Sequence, residues 1–205
     1  MSTSFSRKSL QRLVAGGLLT ALVIILQLIG CIPQISANKL SFVLIPIVLG
    51  GAVLGVRYGM WLGFVFGAVV FFGGLSGLDP FTALLININP FGTLAVCLGK
   101  GILAGAAAAG LFRLLQKHNK PAAVLAASVA APLVNTGLYC LGMLTLFRPT
   151  LVQDFHLDEN AGFLAGFWFI FSLVLVNFAV ELAINLALCP PIYTAVSRSR
   201  LSRIL

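Results

Sequence analysis

The chain has 205 residues, of which 60% are hydrophobic and only 9% are charged, and its mean hydropathy is +1.06. This composition excludes an ordinary soluble domain and indicates an integral membrane protein. The formal net charge is +8, but the basic residues sit near predicted helix ends and form no recognition face. The sequence therefore gives no indication of nucleic-acid binding.

Six apolar segments predict one all-α membrane domain over residues 1–205. A helix needs about 20 apolar residues to cross roughly 30 Å of hydrocarbon. The second segment is short and contains Pro46, which predicts a short or kinked helix. The six predicted transmembrane helices cover residues 12–30, 40–56, 58–75, 92–115, 121–147 and 162–189.

The distribution of basic residues predicts the orientation of these helices. If the amino terminus is cytoplasmic, only Lys39 and Arg148 of the 13 lysines and arginines fall on the outer side. Apart from Lys100, which lies inside a helix, the rest fall in the cytoplasm. This asymmetry predicts a multi-pass protein with both termini cytoplasmic.

The amino-terminal segment is also similar to a bacterial lipoprotein signal. Three basic residues precede an apolar run that ends at Cys31, and cleavage before Cys31 would remove the first helix. We expect the helix to be retained, with cleavage as the alternative. The four cysteines show no C-x-x-C spacing, so neither a disulfide framework nor a metal site is predicted.

Lys100 lies deep inside the fourth predicted helix. An ionised group at bilayer depth costs several kcal/mol, so it is rarely kept without a partner, a wet cavity or a ligand. About eight residues separate it from the outer helix end, which places its Cα roughly 12 Å below that surface. The side chain either extends outward to the interface or holds an anion in a cavity, and we favour the anion.

Asn135 and Tyr139 in the fifth predicted helix lie four residues apart and therefore share a face. The same counting places them roughly 12–18 Å deep, near the level of Lys100. We therefore expect the three side chains to line one cavity. Hydrogen bonding between helices is the alternative role for the two residues on the fifth helix.

The sixth predicted helix carries a polar stripe, in which Asn177, Glu181 and Asn185 follow at four-residue steps. Such a stripe must face protein or water. Counting along the helix places Glu181 nearer the cytoplasmic side than Lys100, so a direct ion pair between them is not expected. Glu181 and Asn185 are predicted to stabilise the bundle, with a protonated Glu181 as one possibility.

Residues 76–91 are predicted to form an ordered outer loop above Lys100. The pairs Asp79-Pro80 and Asn89-Pro90 favour turns, and the position of the loop makes Asn89 a candidate ligand contact. The sequence contains no H-E-x-x-H, G-x-S-x-G or nucleotide-binding P-loop motif. No catalytic residue, metal or cofactor is predicted, and the protein is not expected to be an enzyme.

In the first predicted helix, Gly17 and Ala21 lie on one line. Small residues four apart let a second helix approach closely. That second helix belongs either to the same subunit or to another protein.

The whole pattern resembles the substrate-binding S components of energy-coupling factor (ECF) vitamin transporters of bacteria and archaea. Gly17 and Ala21 are similar to the A-x-x-x-A docking motif of that family, although Gly17 stands where alanine is common. Val56 follows Gly55 where family members commonly have proline. The remaining resemblance lies in residues 44–55, 87–93, 132–139 and 177–185.

The resemblance implies a subunit that captures a vitamin outside the cell, needs no cofactor, and docks through its first helix on a transmembrane coupling protein with two cytoplasmic ATPases. The later helices look most like pantothenate-type members, which implies a carboxylate near Lys100 with contacts from Asn135, Tyr139 and Asn177. Lipoate and biotin are alternative substrates. A self-contained transporter or channel and a membrane-assembly subunit are the alternative functions.

Overall fold

The computed structural model describes residues 7–30 and 42–198, in which all regular structure is helical. Five helices there are long and apolar enough to cross a membrane, and one further apolar helix is shorter. The predicted all-α architecture is confirmed, with a short second helix in place of a sixth full span. Cys31, before which the lipoprotein-like signal would be cleaved, lies outside the described residues. The helices are α1 (Arg7–Gly30), α2 (Leu44–Leu54), α3 (Val56–Leu75), α4 (Pro80–Ile88), α5 (Pro90–Leu115), α6 (Lys120–Leu146), α7 (Arg148–Phe155) and α8 (Phe163–Arg198).

The second helix is short because Gly55 ends it after 11 residues. Gly55 has φ 102°, a backbone conformation that glycine adopts without steric cost. α3 begins at the next residue, and Gly51 of α2 packs against Gly59 of α3. Pro46 lies in the first turn of α2, where its missing N–H breaks no helical hydrogen bond and causes no kink.

The prediction of a loop over residues 76–91 was wrong, because nine of these residues form α4. The carboxylate of Asp79 caps this helix: it accepts hydrogen bonds from the Thr82 backbone N–H at 3.3 Å and from the Thr82 hydroxyl at 2.7 Å. Pro80 occupies the first helical position. An Asp-Pro pair is a helix-start signal as well as a turn signal, and here it starts a helix.

α3 and α5 cross at close range through glycines on both helices. A Cβ atom added at Gly59 would lie 2.7 Å from the carbonyl oxygen of Gly105, and one at Gly63 or Gly101 would overlap the carbonyl of the other glycine. Side chains larger than hydrogen therefore do not fit at this crossing. The contact holds Gly101, and with it the adjacent Lys100, against α3.

Two apolar clusters surround the interior of the bundle. One joins α1, α2, α3 and α5 and includes Phe66 and Cys97. The other joins α4, α6, α7 and α8 and includes Leu85, Phe147 and Val174. Residues of both clusters line a polar cavity, so that cavity is enclosed by packed apolar side chains on two sides.

Candidate functional site

A cavity of about 100 Å³ lies inside the helix bundle. Polar side chains converge on it from α1, α4, α5, α6 and α8, while its apolar wall includes Phe66, Phe147 and Val174. Such a concave space with a few convergent polar groups is the usual form of a small-molecule site. The polar and charged lining residues are Gln27, Asp79, Thr82, Thr93, Lys100, Asn135, Thr136, Tyr139, Asn177 and Glu181.

The ammonium of Lys100 lies between two aromatic rings in this cavity. Its Nζ is 5.5 Å from the centroid of the Phe66 ring and 5.4 Å from that of Tyr139, within the range of cation–π attraction. In the part of the chain that the structure describes, no hydrogen bond or ion pair engages this ammonium. The charge is therefore held in place by aromatic faces and is available to an anion in the cavity.

Asn135 and Tyr139 both line the cavity from α6, so the structure brings them together with Lys100. Asn135 is only 7% exposed. Its Oδ1 atom is buried and accepts no hydrogen bond from any described residue. Thr136, the next residue, contributes a hydroxyl to the same wall. The α6 wall thus contains a buried acceptor that no described residue satisfies.

The polar stripe of α8 divides between the cavity and the helix packing. Asn177 and Glu181 line the cavity. Asn185 does not: its Nδ2 donates to the Glu181 backbone carbonyl at 2.8 Å, and its Oδ1 accepts from the Cys189 thiol at 3.5 Å. Asn185 therefore makes its hydrogen bonds within its own helix, away from the cavity.

Glu181 lines the same cavity as Lys100. Counting residues along the predicted helices had instead placed the two side chains at different depths in the membrane. α8 has 36 residues and is about 54 Å long, much longer than the roughly 30 Å hydrocarbon core. The end of such a helix does not mark the membrane surface. Depth counted from that end was therefore a poor guide to the position of Glu181.

Asn89 lies outside the cavity and caps α5. Its Oδ1 accepts a hydrogen bond from the Gly92 backbone N–H at 2.8 Å, and its backbone carbonyl accepts from the Thr93 hydroxyl at 2.8 Å. The structure thus does not bring Asn89 to the other candidate ligand contacts. Thr93, one turn further along, lines the cavity instead.

Several cavity residues were not singled out from the sequence. Gln27 had a detectable signal, because it is the one polar residue between positions 21 and 30, and it is buried at 5% exposure. Phe66 had none, since the chain contains 16 phenylalanines at similar apolar positions. Asp79 and Thr82 were hidden by the assignment of their segment to a loop.

Two pairs of residues four apart in the first helix, Gly16 with Thr20 and Gly17 with Ala21, have different surroundings. Gly16 is buried against α3, where an added Cβ would lie 2.5 Å from Cε1 of Tyr58. Trp61 on α3 donates its Nε1–H to the Thr20 hydroxyl at 3.2 Å. Gly17 and Ala21 are exposed, and a Cβ at Gly17 would meet nothing within 4 Å. The pair that is similar to a docking motif therefore lies on the face of α1 that points away from the other helices, which we call the outer face of α1.

Comparison with known proteins gives one family. The chain matches the family model described as "ECF transporter, substrate-specific component" over residues 11–193. No curated protein and no solved structure matches it. The matched region contains every residue that lines the cavity.

Proposed function

The protein belongs to the ECF transporter substrate-specific component family, and we propose that it binds a small carboxylate vitamin, with pantothenate as the first candidate. Membership makes the chain a substrate-binding membrane subunit of an importer and not an enzyme. The chemistry of the ligand is the question that the cavity addresses. The observation that carries the proposal is the Lys100 ammonium between the rings of Phe66 and Tyr139.

An ammonium inside a membrane protein needs compensation for the water it has lost. Its burial costs several kcal/mol, whereas cation–π contacts return about 0.5–2 kcal/mol. A ligand carboxylate would supply the difference through a charge-assisted hydrogen bond, which is among the stronger polar contacts in proteins. Lys100 thus favours an acid over a neutral molecule, whereas Asp79 and Glu181 in the same lining disfavour a second negative charge on the ligand.

The size of the cavity implies that its wall moves when the ligand enters. Ligand pockets usually enclose about 300–1,000 Å³, while this cavity encloses about 100 Å³. α4 is the part best suited to move, because it has only nine residues and faces the cavity through Thr82 and Leu85. In this proposal, outward movement of α4 admits the vitamin.

Charge supports placing α4 on the outer side of a bacterial or archaeal cell membrane. α5 ends and α6 begins near Arg113, Lys117 and Lys120, while α4 and α7 lie at the opposite ends of these two helices. Basic residues favour the cytoplasmic side. In this orientation both termini are cytoplasmic and the vitamin enters from outside.

The outer face of α1 supports docking on a partner. Gly17 and Ala21 lie there among exposed apolar side chains, including Leu18 at 68% exposure. Because the sequence has no nucleotide-binding motif, any ATP-driven step has to be supplied by other chains. We propose a transmembrane coupling protein that contacts α1 and two cytoplasmic ATPases bound to it.

The test is to identify the ligand directly. Mass spectrometry of small molecules released from gently purified protein would be followed by calorimetric titration with pantothenate, biotin and lipoate. We expect one of these acids to bind stoichiometrically. A folded protein that binds none of them, or that retains a ligand without a carboxylate, contradicts the proposal.

A further inference from the structure

The buried side-chain carbonyl oxygen of Asn135 indicates a property of the ligand in addition to its negative charge. We infer that the ligand carries a hydroxyl or N–H donor in addition to its carboxylate, and that Asn135 is the residue that recognises this donor. The inference rests on the proposed function, since it requires the ligand to occupy this cavity. It narrows the substrate class from small acids to small acids with a hydrogen-bond donor.

The argument begins with the unsatisfied acceptor. Asn135 is more than nine-tenths buried, and its Oδ1 accepts no hydrogen bond from the described residues. The large majority of buried polar side-chain atoms in native proteins have a partner, and each exception calls for an explanation. Asn135 lines the cavity, so the movement of the cavity wall proposed above would bring a ligand donor to this oxygen.

The two recognition points lie close enough for one small molecule. Asn135 precedes Tyr139 by one helical turn, which is about 6 Å along α6, and the Tyr139 ring contacts the Lys100 ammonium. Both recognition points therefore lie within reach of one small molecule.

This requirement separates the three candidate vitamins. Pantothenate carries hydroxyl donors and biotin carries ureido N–H donors. Lipoate has a dithiolane ring at the end opposite its carboxylate and offers no donor there. A site built to hydrogen-bond a substrate group strongly rejects analogues that lack it, because its own buried polar atoms are then left unpaired. The inference therefore excludes lipoate and simple fatty acids.

The first experiment compares ligands on the full-length wild-type protein in detergent. Calorimetry would measure the affinities of two acids with donors, pantothenate and biotin, and of two acids without them, lipoate and octanoate. We expect the tighter-binding of the two donor-bearing acids to exceed both lipoate and octanoate by at least about 10-fold. If lipoate or octanoate binds as tightly as the better donor-bearing acid, the inference is wrong while the carboxylate proposal stands. If no acid binds to the folded protein, both are wrong.

The second experiment asks whether Asn135 causes the preference. Asn135→Leu removes the acceptor, so we expect the donor-bearing acid to lose its advantage while the melting temperature of the ligand-free protein is unchanged or higher. Asn135→Asp keeps an acceptor and is expected to keep the preference ratio, whatever its effect on overall affinity. Ser128→Ala removes a hydroxyl from α6 that bonds the Val124 carbonyl outside the cavity, and it serves as the control.

An unchanged preference in Asn135→Leu overturns the assignment to Asn135. If that variant does not fold, Asn135→Ala provides the same comparison with a smaller side chain. A purely structural role predicts the reverse pattern, with lower thermal stability and an unaltered ratio between the two ligands. The paired readouts thus distinguish recognition of the ligand from support of the fold.

Discussion

The Nζ atom of Lys100 lies 5.4 Å from the centre of the Tyr139 ring. This contact joins α5 to α6 at the cavity. Among the described residues, no counterion forms a hydrogen bond with the ammonium. A carboxylate in the cavity completes the environment of the lysine without requiring it to leave the aromatic rings. The relationship therefore makes Lys100 the first residue to alter.

We expect Lys100→Met to weaken binding of the vitamin by about 1.5–3 kcal/mol, because a charge-assisted hydrogen bond is lost while the length of the side chain is kept. This corresponds to roughly a 10- to 150-fold increase in Kd. Calorimetric titration of the purified variant measures it. Lys117→Met removes an exposed lysine outside the cavity and should bind normally. Unchanged affinity in a folded Lys100→Met variant removes Lys100 from the site.

The crossing of α3 and α5 predicts different outcomes for two glycines of the same helix. A Cβ at Gly101 overlaps the Gly63 carbonyl, whereas a Cβ at Gly99 meets nothing within 4 Å. Gly101→Ala should therefore cost about 1–3 kcal/mol of stability through overpacking. Gly99→Ala should be neutral or stabilising by up to about 1 kcal/mol, from helix propensity alone.

Thermal unfolding in detergent, followed by tryptophan fluorescence, distinguishes the two glycine variants. If both variants melt at the temperature of the wild type, the close approach of the two helices is not a feature of the folded protein. If Gly99→Ala is the less stable of the two, the assignment of helix faces in α5 is incorrect.

Composition and segment length were sufficient to predict the helical membrane fold, because hydrocarbon imposes helices on apolar runs of about 20 residues. They were not sufficient for the short elements. An Asp-Pro pair such as Asp79-Pro80 is common both in turns and at helix starts. A nine-residue helix is too short for hydropathy to distinguish it from a loop. Only the packing of α4 over the cavity distinguishes the two structures.

The candidate site was predictable where a polar residue interrupts an apolar helix. Lys100, Asn135, Tyr139 and Asn177 were identified in this way, and the structure brings them to one cavity. The sequence alone could not distinguish a ligand contact from a helix cap at Asn89. In the structure its side-chain oxygen accepts a hydrogen bond from the backbone of α5. Apolar residues that line the cavity give no comparable signal in a single sequence.

The cap of α4 predicts a difference between two substitutions of Asp79. Asp79→Ala removes the acceptor for the Thr82 backbone N–H and should destabilise the start of α4 by about 0.5–2 kcal/mol. Asn caps helices as well as Asp does, so Asp79→Asn should keep the helix intact. Hydrogen exchange of peptides from α4 measures the difference, with faster exchange expected in the alanine variant alone.

If α4 admits the ligand, Asp79→Ala should also accelerate dissociation of the vitamin relative to Asp79→Asn. Stopped-flow displacement with excess ligand gives both rates. Equal rates, together with faster exchange in α4, would show that the ligand enters by another route. Faster exchange in both variants would show instead that the charge of Asp79, rather than its capping geometry, stabilises this helix.

Adjacent glycines of α1 predict separate effects on docking and folding. Gly17→Leu and Ala21→Leu place bulk on the exposed face, so ligand binding should be retained while recovery of a complex with the coupling protein falls by at least about tenfold. Gly16→Leu instead drives a side chain into Tyr58 and should destabilise the isolated subunit. Co-purification with the coupling protein and ATPases measures docking, and vitamin uptake by cells measures its consequence.

Ala187→Leu is the control for this face, since it adds the same bulk to an exposed position on α8. Bulk at any lipid-facing position perturbs packing with lipid, so an equal loss of complex in this variant would show that the effect is not specific to α1. Loss confined to Gly17→Leu and Ala21→Leu, with normal vitamin binding, places the coupling protein on the outer face of α1. Normal capture and uptake in both α1 variants would instead leave that face to lipid, because a helix that docks through small residues cannot approach closely past a leucine at either position.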